Sequence, residues 1–129
     1  MGALAASPDI QCGAPFYGVN FGLFAPAALV SKPVQGHFGA EDTMVGFSDP
    51  DTALKLETDL RAVGGMADVF VYERVGHAFM NESPAPFPSF EARKDKMGFP
   101  VYDAEQAELA WGRLFAFLEA NLKGKKDEL

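Results

Sequence analysis

Two short apolar runs, "KPVQGHFG" (32–39) and "DVFVY" (68–72), stand on either side of the best-marked helix in the chain. That helix reads from "SDPDTALKLETDLRAVGG" (48–65). Asp49 can cap it, Pro50 fits its first turn, and Gly64 and Gly65 stop it. Ala53, Leu56, Leu60 and Val63 recur at helical spacing and predict one buried face. A continuous apolar run on each side of such a helix constrains the fold more than any other feature. Strands buried on both faces and joined through a helix belong to a parallel sheet.

The rest of the chain extends the pattern. "LAAS" reads as the tail of a helix stopped by Pro8, and "IQCGAPFYGV" (10–19) as a further strand weakened by Gly13 and Pro15. "FAPAALVS" (24–31) can hold a short helix with Pro26 in its first turn. "DAEQAELAWGRLFAFLEANLKG" (103–124) predicts a long amphipathic helix with Leu109, Trp111, Leu114, Phe115, Leu118 and Leu122 on its apolar side. "NESPAPFPSFEARKDKMGFP" (81–100) reads as a long irregular excursion, the kind that serves as a lid or partner surface. The expected architecture is α/β: a three-layer α/β/α arrangement with about three parallel strands. At 129 residues the chain has the size of one domain.

Composition removes several function classes. A net charge of −7 with no basic cluster outside the tail argues against nucleic acid. No apolar stretch approaches the length of a membrane span. "MGALAAS" lacks the basic start and apolar core of a signal peptide, and Ala6 breaks the myristoylation pattern. The single cysteine, Cys12, allows no internal disulfide, and two His with scattered acids make no zinc spacing. The expected location is the cytoplasm. The terminal Lys126-Asp127-Glu128-Leu129 matches an ER-retention address, which would place the protein in the ER lumen if a precursor carried it there. It is read here as the charged end of a helix. The sequon-like Asn81-Glu82-Ser83 is followed by Pro84, which disfavours its use.

Asp42 follows the second run in "GHFGAEDTMV", and His77 follows the third in "ERVGHAF". Open parallel sheets build their sites at the carboxyl ends of strands. An acid after one strand and a His after the next fit the last two members of a nucleophile–Asp–His triad. The carboxylate would fix the imidazole tautomer and stabilise the imidazolium once the base has taken a proton. His37 and Glu41 lie nearby; His37 is read as a strand residue.

"FYGVNFG", "KPVQGHFGAEDTMV", "VFVYERVGHAFMNE" and "AELAWGRLFAFLEANL" together resemble the carboxyl-terminal half of the dienelactone hydrolase (carboxymethylenebutenolidase-like) family, in order and over nearly the whole chain. The resemblance implies an α/β-hydrolase fold with a Cys nucleophile in a G-x-C-x-G elbow, no metal and no organic cofactor. It implies Asp42 as triad acid, in preference to Glu41, and His77 as triad base. It also implies a small ester or lactone as substrate.

No G-x-S-x-G or G-x-C-x-G occurs in the 129 residues. By the resemblance, residues 1–129 form one domain truncated on its amino-terminal side, immediately after the expected elbow. Cys12, in "IQCGAP", has no elbow around it and is read as a small buried hydrophobe. The family's carboxylate-binding Arg, four residues past the triad His, is replaced here by Asn81. Arg74 and Phe79 are the other candidates to face substrate. The expectation is a hydrolase fragment that is inactive alone. The alternative is a non-catalytic half-hydrolase module. In either case the strand over 10–19 is expected to leave an open edge, leading to a homodimer, an upstream partner or aggregation.

Overall fold

A computed structural model describes residues 1–122. The Lys126–Leu129 address therefore lies outside the described residues. Helix α1 (Gly2–Ala6) is followed by two 3₁₀ turns, Phe21–Leu23 and Pro26–Leu29. Then come strand β1 (Val34–Gly39), helix α2 (Pro50–Ala62), strand β2 (Ala67–Tyr72), helix α3 (Phe90–Met97) and helix α4 (Ala104–Leu122).

β1 and β2 pair in parallel from Val34 opposite Ala67 to Gly39 opposite Tyr72. α2 makes the crossover, as the sequence pattern requires. Asp49 caps it through Thr52 N–H, and Ala53, Leu56 and Leu60 turn inward onto the sheet. Val63 falls at the helix end and is partly exposed rather than core. Leu4, Leu29, Val34 and Phe38 complete this side of the core.

The strand expected over 10–19 shrinks to two isolated parallel bridges, Gly13 with Val34 and Phe16 with His37. The segment still runs along the free edge of β1. Gln35 N–H donates to Gly13 O (3.0 Å), His37 N–H to Pro15 O (2.9 Å) and Tyr17 N–H to His37 O (3.0 Å). Pro15 has no donor of its own, and Tyr17 turns to φ 45°, so regular pairing ends there.

The 81–100 excursion is not wholly irregular. Ser89 Oγ accepts from Ala92 N–H and starts α3, and Gly98 at φ 72° closes it. Arg93 of α3 is buried, stacks on Phe90 and donates to Pro100 O (3.4 Å).

α4 differs most from its expected role. It seats Ala107 and Ala110 inward, where small side chains allow a close approach to the sheet. Leu109, Trp111, Phe115 and Leu122 are exposed, Trp111 at 40% and Phe115 at 60%. Trp111 is therefore not core. The helix is tied to the strands by Arg113, whose guanidinium lies 4.0 Å over the Phe70 ring and hydrogen-bonds Tyr72. Tyr72 in turn donates to His37 Nδ1 (2.9 Å), and His37 Nε2–H donates to Gln35 Oε1 (2.9 Å). His37 also stacks on Phe16 with a centroid separation of 4.4 Å. It is a satisfied, buried strand residue. Burial first, then the Arg113 charge, lowers its pKa to about 4.

Candidate active site

The loops that leave β1 and β2 are held together by their backbones. Ala40 N–H donates to Tyr72 O (2.8 Å) and Glu41 N–H to Val75 O (2.9 Å). Two glycines permit this approach. A Cβ on Gly39 would lie 2.5 Å from Val75 O, and one on Gly76 would lie 3.1 Å from Glu41 O.

This contact delivers Asp42 to His77. His77 Nδ1–H donates to Asp42 Oδ2 at 2.9 Å. The carboxylate side chain is 0% exposed and the imidazole 20%. Met44 N–H occupies the other carboxylate oxygen at 3.0 Å, so the acid is held at both ends. A buried, hydrogen-bonded carboxylate on one imidazole nitrogen leaves the other nitrogen as the basic one.

Aromatic rings from three segments border the imidazole: Phe99 at 5.1 Å, Tyr17 at 5.6 Å and Phe47 at 6.4 Å between centroids. Burial raises the Tyr17 hydroxyl pKa, opposed by its backbone hydrogen bond with Met80. Ala78, directly after His77, takes φ 61°, a strained conformation for a residue with a Cβ. A depression of about 330 Å³ opens beside Tyr17, lined by Phe16, Met80, Asn81 and Trp111. Of the candidates to face substrate, Asn81 borders this depression. Phe79 is buried between Tyr17 and Tyr72. Arg74 pairs with Asp103 and Glu105 at the start of α4, at 3.1 Å each, so its guanidinium is already engaged.

Cys12 sits far from this centre. It precedes Gly13, which pairs with Val34 at the start of β1, whereas Asp42 lies beyond the strand's other end. Six residues of strand separate them, roughly 16 Å at 3.3 Å per step. Burial pushes its thiol pKa up, away from thiolate. Glu41 is exposed, and its backbone rather than its carboxylate serves the site. Among the described residues, no group of three or more His, Cys, Asp or Glu is placed to hold a metal ion.

Reading the sequence for a triad missed Ser48, Phe47, Phe99 and the two glycines. Gly39 ends an apolar run and was marked by it, whereas Ser48 in "GFSDP" and Gly76 in "ERVG" carry no such mark.

The model of the dienelactone hydrolase family matches residues 2–122. A protein of Azospirillum brasilense described as "Putative carboxymethylenebutenolidase" is 33% identical over 122 residues, which is 92% of this chain and 44% of that protein. The crystal structure of a "Putative Dienelactone Hydrolase" from Klebsiella pneumoniae superposes with a TM-score of 0.58 at 23% identity. It covers 87% of this chain and 43% of its own, and at that identity it shows a shared fold. The chain spans less than half the length of either protein.

Proposed function

The chain belongs to the dienelactone hydrolase family, and we propose that it carries the acid and the base of an ester or lactone hydrolase whose nucleophile lies outside these residues. In this reading a Cys thiol gives its proton to His77 Nε2, and the thiolate attacks the carbonyl carbon. Asp42 holds His77 in the tautomer that leaves Nε2 basic and stabilises the imidazolium. His77 then returns the proton to the leaving alcohol oxygen. Water repeats the cycle on the thioester and releases the acid.

One observation carries the reading: the 2.9 Å contact between His77 Nδ1 and a fully buried Asp42 carboxylate, after consecutive parallel strands. Asn81 offers a neutral contact where the family's pattern has Arg, so a substrate without a carboxylate fits better than dienelactone itself. A second reading, a half-hydrolase module acting through association, draws on the exposed α4 face and the half-paired 13–17 segment.

The coding sequence preceding Met1 separates the two. An in-frame G-x-C leading into "MGALAAS" supports the enzyme. A stop codon in frame directly upstream supports the module and contradicts the enzyme.

A further inference from the structure

A buried serine lies against the same imidazole nitrogen as the carboxylate. Ser48 is 0% exposed, and its Oγ is 3.2 Å from His77 Nδ1. One nitrogen therefore faces two oxygens, Asp42 Oδ2 and Ser48 Oγ. An ionised carboxylate only accepts, so Nδ1 carries the proton and both oxygens share it. The Ser48 hydroxyl thus turns a lone pair toward the ring. Ser48 is not the missing nucleophile: it is shut off from solvent and faces Nδ1, not Nε2.

The segment that carries it is anchored at several points. Ser48 N–H donates to Met44 O at 3.0 Å, and Val19 N–H donates to Phe47 O at 2.8 Å. The Phe47 ring fills the space over Gly18, and Asp49 begins α2. Residues 44–48 thereby hold the carboxylate through Met44 N–H and the imidazole through Ser48 Oγ.

We propose that Ser48 is a positioning residue for His77, acting as the second acceptor of the Nδ1 proton. A single acceptor lets the ring rock about one N–H···O axis, whereas two acceptors fix its plane. Phe99, Tyr17 and Phe47 bound the same ring and leave little room for another orientation. The second acceptor matters most once the ring is an imidazolium, because a charged donor bonds more strongly than a neutral one. The inference rests on the reading of His77 as base, with Nε2 presented to the nucleophile.

The test is long-range ¹H–¹⁵N NMR of the histidine rings in the full 129-residue chain. Wild-type His77 is expected as the Nδ1–H tautomer, with slow solvent exchange of that proton. Ser48→Ala and Ser48→Gly should each speed the exchange several-fold and raise the Nε2–H population. Asp51→Ala, which alters the exposed first turn of the same helix without touching residues 44–48, should leave His77 unchanged. An Nε2–H tautomer in the wild type would overturn the proposal without any variant. So would a Ser48→Ala ring with unaltered nitrogen signals, provided Asp42→Asn shifts them. Should Asp42→Asn leave them unaltered too, the Asp–His pair itself fails, and Ser48 with it.

Discussion

His77 Nδ1 and Asp42 Oδ2 stand 2.9 Å apart, although 35 residues separate them in sequence. The distance follows from the parallel register, which ends β1 at Gly39 and β2 at Tyr72 side by side. Each loop then needs only three to five residues to present its side chain. The glycines at 39 and 76 set how near the two loops come.

Gly39→Ala should therefore damage both fold and site. The new Cβ would meet Val75 O at 2.5 Å and Gly76 Cα at 2.7 Å, and backbone atoms yield little. A cost of roughly 1–3 kcal/mol is expected from such overpacking. Urea denaturation measures the loss, and the His77 ring signals should show Nδ1 released. A wild-type midpoint in this variant would contradict the account.

Stability should fall on acidification because of His37. Its folded pKa is about 4, below the ordinary 6.5, since burial and Arg113 disfavour the charged ring. Between those values the unfolded chain binds more protons than the folded one. The contribution is thus complete above pH 6.5 and is lost as pH falls toward 4. A shift of this size corresponds to about 3 kcal/mol. Denaturant midpoints from pH 7 to 4.5 should show the decline, and His37→Gln should flatten it. An equal slope in His37→Gln would assign the effect elsewhere.

Asp49→Ala should cost about 1 kcal/mol, the usual value of a helix cap. Its carboxylate accepts from Thr52 N–H (3.2 Å), Thr52 Oγ1 and Gly46 N–H (2.7 Å). The Thr52 hydroxyl foremost, with these backbone donors, holds its pKa below the usual carboxylate range, so this support weakens in acid. Differential scanning calorimetry should show a lower transition temperature. No change would mean that the cap does not hold α2.

Association at micromolar concentration is the fourth expectation. Leu109, Trp111, Phe115 and Leu122 expose apolar surface along α4, and among the described residues the 13–17 segment pairs only toward β1. Apolar surface left in water costs roughly 25 cal/mol per Å². Light scattering coupled to size exclusion should find dimers or larger species, with Phe115→Glu shifting them toward monomer. A monodisperse wild-type monomer would refute this.

How far the sequence could be read follows the range of the forces involved. α2 was legible from end to end because its cap, proline and stop glycines act locally. β1 and β2 were legible as short runs rich in apolar residues on either side of a helix, although Gln35 and His37 stand within β1 and β2 is fully buried only at Ala67 and Tyr72. The 10–19 segment has the same apolar character, but Pro15 and the turn at Tyr17 restrict its pairing to two bridges. α4 was legible as a helix, yet its buried side was not. Periodicity named Leu109, Trp111 and Phe115, whereas the sheet accepted Ala107 and Ala110. Asp42 and His77 could be picked out by their places after strands. Ser48 could not, because a loop serine carries no period, and only the fold of residues 44–48 brings it to the ring.

The most direct measurement is hydrolysis of p-nitrophenyl acetate by the 129-residue chain and by its His77→Ala variant. On the proposed reading Asp42 and His77 are an acid and a base with no nucleophile within reach among the described residues, so the two rates should agree. A His77-dependent rate would contradict it. Loss of that rate in Cys12→Ala would then identify a nucleophile inside the chain.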